Sequence, residues 1–197
     1  MAPNFEFSWH PGIGDPTAGG WITVVLYLLA AGSCWMTVRV LRRQDPKDKA
    51  DARVWRNISV LFFLLGINKQ LDLQSGLTEL GRMVAYSGGW YEHRQTVQIY
   101  LIAGITAVCL AILPVLIFGL RKAPFQTWMA VAGSTFVLGY VLIRAASFHH
   151  MDSFLRTRLL GLKWYWILEM AGIVIVLIAS EWRRAKAFQQ VGERVVN

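Results

Sequence analysis

The hydrophobic pattern of the chain consists of five long apolar stretches separated by polar segments. Each stretch is about 20 residues long, which is the length that an α-helix needs to cross the hydrocarbon core of a bilayer. The pattern therefore predicts an all-α, polytopic membrane protein with five transmembrane helices, forming one domain over residues 1–197. The predicted spans cover residues 21–41, 57–76, 97–120, 125–148 and 164–182.

The segments between the spans are short. Residues 44–56 alternate acidic and basic side chains that cannot enter lipid, so we expect a solvated loop or a short helix there. Residues 77–95 and 152–163 carry leucines at near-helical spacing and are predicted to lie on the membrane surface as amphipathic segments. Little of the chain remains for a separate soluble domain, which excludes a soluble enzyme held by a membrane anchor.

Composition and charge add an orientation to this picture. Hydrophobic residues make up 55% of the chain, charged residues 16%, and the formal net charge is +8. Thirteen of the 20 basic residues and five of the 12 acidic residues fall in the segments on one side, which therefore carries the whole net charge. Basic loops stay in the cytoplasm, so we expect the N-terminus outside and the C-terminus inside, in a bacterial inner membrane. This distribution explains the positive charge without nucleic-acid binding.

Two further patterns concern helix positions in the membrane. Aromatic residues near the span ends predict an anchoring belt at both interfaces. Small residues on the fourth span, among them Gly133 and Gly139, predict a face for close helix contact, internal or with a partner. The outer belt comprises Trp9, Trp21, Trp90, Tyr91, Trp164, Tyr165 and Trp166, and the inner belt Trp35, Trp55, Trp128 and Trp182.

Candidate chemistry collects at the outer side, where the topology places unusual polar residues from several spans. Ionisable groups within spans normally face the bundle interior or water, so residues far apart in sequence are expected to converge there. The candidate outer polar cluster comprises Lys69, Asp72, Glu92, His93, Arg94, Arg144, His149, His150, Asp152 and Glu169.

Three interpretations of this cluster remain open. In the first, Lys69 with Asp72 and Arg144 with Glu169 are ion pairs that hold helices together. In the second, His149, His150 and Asp152 bind zinc or another divalent ion and activate water for hydrolysis. The third is a small-molecule, quinone or pigment site. No HxxxH, HExxH or CxxC motif is present to favour the metal site.

Other cofactor classes are less compatible with the sequence. A haem held by two histidines needs both residues inside spans, and no span interior contains a histidine. Cys34 and Cys109 each fall within an apolar stretch, which favours two buried apolar side chains over a disulfide or a cysteine metal site. The cofactor, if one is bound, is not identified by the sequence.

Four segments carry a family resemblance. Residues 15–21, 65–74 (LGINKQLDLQ), 89–98 (containing GWYEHR) and 147–152 (SFHHMD) resemble a group of uncharacterised bacterial multi-span membrane proteins, and this resemblance implies no activity. Ser147 and His149, near a span end, are also faintly similar to the alkaline ceramidase and adiponectin receptor superfamily of membrane hydrolases. That superfamily has seven spans and a late HxxxH, both missing here, so no zinc ligand follows from it.

The function expected from these observations is that of a non-catalytic accessory subunit in a larger bacterial membrane complex of the respiratory or photosynthetic type. Its partners would be membrane lipid and other membrane protein subunits. The alternatives are the metal-dependent membrane hydrolase and the small-molecule, quinone or pigment-binding protein described above.

Overall fold

The computed structural model describes residues 16–44, 49–71, 83, 119–146, 158–159 and 162–196. The chain divides into two compact units, residues 1–14 with 68–122 and residues 15–67 with 123–197. Of the first unit, only residues 68–71, 83 and 119–122 are described. The second unit contains most of four helices, and the all-α prediction is confirmed for the described part of the chain.

Helix α1 spans Ala18–Gln44 and begins three residues before the predicted first span. Thr17 caps its N-terminus, because the Thr17 hydroxyl accepts a hydrogen bond from the Gly20 amide at 3.3 Å. Gly19 is required by close packing at this end: a Cβ atom there would lie 2.7 Å from the Trp166 ring. Trp166 is therefore covered by the start of α1 and is only 9% exposed, although it was predicted to belong to the outer belt.

Helix α2 spans Lys49–Leu71 and begins eight residues before the predicted second span. The expectation of a solvated segment is therefore wrong for Asp51, Ala52 and Trp55, which are buried. The buried positions recur every three or four residues, so the first two turns continue the inward-facing stripe of the helix. That stripe comprises Asp51, Ala52, Trp55, Ile58, Ser59, Phe62 and Gly66.

Helix α3 spans Phe125–Ala146 and packs closely against α4. A Cβ atom on Gly133 would lie 3.0 Å from Val176 Cγ2 and 3.2 Å from the Gly172 carbonyl oxygen, so the two backbones approach at this point. The small-residue face predicted for the fourth span thus makes an internal contact through Gly133. Gly139, by contrast, has open space where a side chain would begin.

Two short strands precede the last helix. Strands β1 (Arg158–Leu159) and β2 (Leu162–Lys163) pair antiparallel, within a segment whose leucine spacing is near-helical. Helix α4 spans Trp164–Val196 and continues 14 residues beyond the predicted end of the fifth span.

Contacts between side chains give the direction of each helix. Tyr27 of α1 contacts Glu169 and Thr37 contacts the Ser180 carbonyl group, so α1 and α4 are parallel. Ser59 of α2 donates to the Ala31 carbonyl group, while a Cβ atom on Gly66 would lie 3.2 Å from Tyr27, so α2 runs antiparallel to α1.

Helix α3 runs antiparallel to α4, because Phe125 contacts Trp182 whereas Val137 lies beside Gly172. One end of this bundle therefore holds the C-terminus of α1, the N-termini of α2 and α3, and the Arg183 region of α4; we call it the basic end. The directions of the four helices match those expected for predicted spans one, two, four and five.

By length and hydropathy, one helix in the described ranges qualifies as a candidate membrane span. It covers Ala18–Arg43, with a mean hydropathy of 1.7. Helices α2 and α4 carry charges within or beside their apolar stretches, such as Asp51 in α2 and Arg183 in α4. The five-span topology stays a prediction.

Candidate functional site

Most of the predicted outer polar cluster lies outside the described residues. Among its ten members, Lys69 and Glu169 have described side chains, and Arg144 lies on α3 with only its backbone described. Convergence of the ten residues is therefore not tested. The members outside the described residues are Asp72, Glu92, His93, Arg94, His149, His150 and Asp152.

Glu169 is buried inside the bundle, with 2% of its surface exposed. Its Oε1 atom accepts a hydrogen bond from the Tyr27 hydroxyl at 3.0 Å, which ties α4 to α1. This contact agrees with the interpretation of Glu169 as part of a helix-to-helix contact. Its predicted pairing with Arg144 stays a prediction, as does that of Lys69, half-buried in the last turn of α2, with Asp72.

Within the described ranges, no group of three or more histidine, cysteine, aspartate or glutamate residues is placed to hold a metal ion. The three predicted metal ligands, His149, His150 and Asp152, are outside those ranges. Cys34 is fully buried among apolar neighbours, as predicted.

The bundle holds a buried polar cluster at its basic end. Arg183 Nε donates to Asp51 Oδ2 at 2.8 Å, and the two side chains are 4% and 7% exposed. The Thr127 hydroxyl donates to Asp51 Oδ1 at 2.6 Å, and Trp55 Nε1 donates to the Thr127 hydroxyl at 3.2 Å. These four residues, which we call the ion-pair cluster, connect α2, α3 and α4.

The ion-pair cluster has the chemistry of a brace. Both carboxylate oxygens of Asp51 accept hydrogen bonds from neighbouring helices, and the Arg183 guanidinium has no acceptor atom. A general base must reach a substrate proton, whereas the Asp51 side chain is buried between helices. The buried charges of Asp51 and Arg183 pair with each other, and the cluster stabilises the packing of the three helices.

A second polar contact joins α1 and α4. The hydroxyl oxygens of Ser33 and Ser180 are 2.6 Å apart, and Ser33 donates to Glu181 Oε1 at 2.7 Å. Thr37 donates to the Ser180 carbonyl oxygen at 3.2 Å. Glu181 also pairs with Arg184, one turn further along α4. Such short hydroxyl side chains provide interhelical hydrogen bonds while allowing close packing.

The ion-pair cluster is not predicted from the sequence, because Asp51 falls in a segment of alternating charges that predicts exposure. A signal for it exists: Asp51 and Trp55 stand one turn apart, in phase with Ile58 and Phe62 further along α2. The expectation that Trp55 anchors at the membrane interface is wrong, since this side chain is fully buried and bonded to Thr127. Trp35 and Trp182 are 41% and 43% exposed, and their position at a membrane interface stays a prediction.

Comparison of the chain with protein-family models, with curated proteins and with solved structures finds no match.

Proposed function

We propose that this chain is a non-catalytic structural subunit embedded in the cytoplasmic membrane of a bacterium, where it packs against helices of a larger membrane complex. The observation that carries the proposal is the distribution of polarity in the described bundle. Some charged residues lie inside it beside apolar ones, and many large apolar side chains lie on its surface. In water this arrangement leaves much apolar area exposed, whereas lipid or partner helices cover it.

The interior of the bundle contains Asp51, Glu169 and Arg183, none more than 8% exposed. In contrast, eighteen large apolar residues on its surface are between 39% and 64% exposed. They occur on all four helices, with the greatest number on α1. Leu29, Met36, Phe63, Ile178 and Phe188 are examples.

The exposed face of α1 has the spacing of a helix-packing surface. Trp21, Val25, Leu28 and Trp35 are exposed, with Gly32 between the last two, at successive intervals of four and three residues. This is the repeat by which one helix packs along another at a shallow angle. A Cβ atom on Gly32 would meet nothing within 4 Å, so this glycine serves no contact inside the described bundle. It leaves room for the backbone of a partner helix.

Helix direction supports the proposed multi-pass topology. The bundle contacts place Ile67 of α2 and Ala123, just before α3, at opposite ends. The intervening connection contains the predicted third span, residues 97–120, of which only Gly119 and Leu120 are described. A crossing by that span completes the N-out, C-in arrangement.

The test begins with the full chain in its native membrane. We expect it to resist carbonate extraction and to co-purify in mild detergent with other subunits in fixed stoichiometry. A photo-cross-linking residue at Leu29, which is 57% exposed, is expected to yield a discrete protein adduct, whereas one at buried Phe62 yields none. Carbonate extraction of the chain, or a monomer whose Leu29 probe captures only lipid, contradicts the proposal.

Gly32→Leu supplies a sharper test. The added side chain is expected to weaken association with the partner at least tenfold while the chain stays folded, because it fills the space left for a neighbouring backbone. Gly139→Leu is the matched control: the same substitution on α3, again with no atom within 4 Å of the new Cβ. Equal effects of the two variants on co-purification would show that the α1 face is not the contact.

A further inference from the structure

The basic end of the bundle carries a group of exposed cations. Two acidic residues with described side chains lie at this end, Asp51 and Glu181, and each is paired with an arginine, Arg183 and Arg184 respectively. Seven exposed cations lie on the helices around them: Arg39, Arg42, Arg43, Lys49, Arg53, Arg56 and Lys186. We call these seven residues the basic rim.

Interhelical contacts place the rim residues at similar depth. Arg183 bonds to Asp51, so Lys49 and Arg53, two positions either side of Asp51, lie at the level of Arg183. The Arg184 guanidinium lies 3.3 Å from Met36 Sδ, which aligns Lys186 with the last two turns of α1. With a rise of about 1.5 Å per residue, the rim occupies a layer on the order of 12 Å thick.

Exposed aromatic side chains lie within this layer and at its edge nearer the middle of the bundle. Lys186 Nζ is 5.5 Å from the centre of the Trp182 ring, and Trp182 meets Phe125 edge to face at 6.0 Å. Trp35 on α1 is 41% exposed, one turn before Arg39. Further from the rim, the exposed surface of α1 is apolar as far as Trp21. Along α1 the surface thus changes from apolar to a layer in which aromatic and cationic side chains lie together.

We propose that the basic rim binds the headgroups of anionic phospholipids in the cytoplasmic leaflet. A phospholipid presents an acyl chain followed by a glycerol phosphate, in the same order as the apolar surface of α1 and the layer of aromatic and cationic side chains. Lysine and arginine side chains reach the phosphate level while their methylene groups cover apolar surface. An anionic headgroup such as phosphatidylglycerol supplies the negative charge that the described acids at this end do not.

The lipid fits this surface better than the other anions do. Free phosphate satisfies the cations and leaves the exposed Trp182 and Phe125 uncovered. An acidic partner protein in the cytoplasm meets the rim and leaves the apolar surface of α1 beneath it uncovered. This inference rests on the proposed embedding of the chain in a membrane.

The experiment uses the full chain, delipidated in mild detergent and titrated with dioleoyl phosphatidylglycerol or dioleoyl phosphatidylcholine. Bound lipids are counted by native mass spectrometry. We expect preferential binding of phosphatidylglycerol, reduced by about 100-fold in affinity in the Arg39→Gln/Arg42→Gln/Arg43→Gln variant, since each cation near an anionic surface contributes roughly fivefold. The corresponding triple lysine variant is the matched control and is expected to keep the preference.

Three outcomes overturn the inference. They are equal binding of the two lipids by the unmodified chain, loss of the preference in the triple lysine variant, and displacement of phosphatidylglycerol by inorganic phosphate at equal concentration. A parallel reconstitution into phosphatidylcholine vesicles separates this result from the proposed function. Insertion without a preference for phosphatidylglycerol contradicts the lipid site alone, whereas failure to insert contradicts both.

Discussion

Asp51 holds three helices together only while both of its carboxylate oxygens have donors. Arg183 and Thr127 supply these donors from α4 and α3. The charge alternation of residues 44–56 indicates a solvated segment, and this expectation is wrong for Asp51. It does not indicate which of the charges turns inward, because burial of Asp51 depends on an arginine 132 positions away. Local pattern predicts exposure well only where no distant partner compensates the charge.

Removing one member of the buried pair is expected to be far more costly than removing both. Asp51→Ala leaves the Arg183 guanidinium buried without its carboxylate and is expected to lower the free energy of unfolding by about 3–5 kcal/mol. Asp51→Leu/Arg183→Met removes both charges of the pair and is expected to recover most of that loss. Denaturant titration in detergent micelles measures both. A double variant as unstable as Asp51→Ala would contradict this account.

Gln126 and Thr127 are adjacent, buried and polar. We expect their replacement by apolar residues to change the free energy of unfolding in opposite directions. Gln126 is 1% exposed, and its Nε2 atom has no hydrogen-bond partner among the described residues. Gln126→Met removes an unsatisfied donor and is expected to raise the free energy of unfolding by about 1 kcal/mol. Thr127→Val removes a donor to Asp51 and is expected to lower it by about 1–3 kcal/mol. The same micelle titration distinguishes them, and stabilisation by both would be inconsistent with the ion-pair cluster.

At the scale of helices, packing in the bundle depends on the positions at which two helix backbones approach each other closely. The small residues of α3 give a usable signal for close packing, and Gly133 meets Gly172 of α4 as that signal suggests. Helix boundaries are less well predicted: α2 begins at Lys49 instead of residue 57, and α4 continues to Val196 instead of residue 182. Hydropathy identifies only the apolar part of a helix. Polar turns at the helix ends are stabilised by contacts with other helices, such as the pairing of Asp51 with Arg183, which hydropathy does not detect.

The contact between α3 and α4 predicts a steep dependence on side-chain size at Gly172. A Cβ atom there would lie 2.5 Å from Val137 Cγ2, so Gly172→Ala forces the helices apart and is expected to lower the free energy of unfolding by about 1–3 kcal/mol. Gly139→Ala, at an open position on α3, is expected to be neutral or slightly stabilising because alanine favours the helix. Equal stability of the two variants would contradict close packing at Gly172.

At the scale of the whole molecule, the charge distribution along the sequence and the helix directions in the bundle place the basic residues at the same end. The sequence assigns the basic segments to one side, and the described bundle places Arg39, Arg53 and Arg183 at one end. The helix directions predicted from the sequence agree with those of the described bundle. The number of membrane crossings stays a prediction. Buried polar side chains such as Asp51 and Glu169 lower the mean hydropathy of the helices that carry them.

Cysteine labelling in intact cells tests the orientation. In a Cys34→Ala/Cys109→Ala background, Pro16→Cys is expected to react with a membrane-impermeant maleimide, since Pro16 is exposed at the start of α1. Arg43→Cys, exposed at the basic end, is expected to react only after the membrane is permeabilised. The reverse pattern would place the N-terminus in the cytoplasm.

The separation of Asp51 and Arg183 also has a consequence for synthesis of the protein. The ribosome makes the arginine 132 residues after the aspartate, which at 5–20 residues per second is a delay of roughly 7 to 26 seconds. During that interval Asp51 lacks the arginine with which it pairs in the folded bundle. Burial of the Asp51 carboxylate therefore waits for α4, and we expect the basic end to be the last part of the bundle to pack.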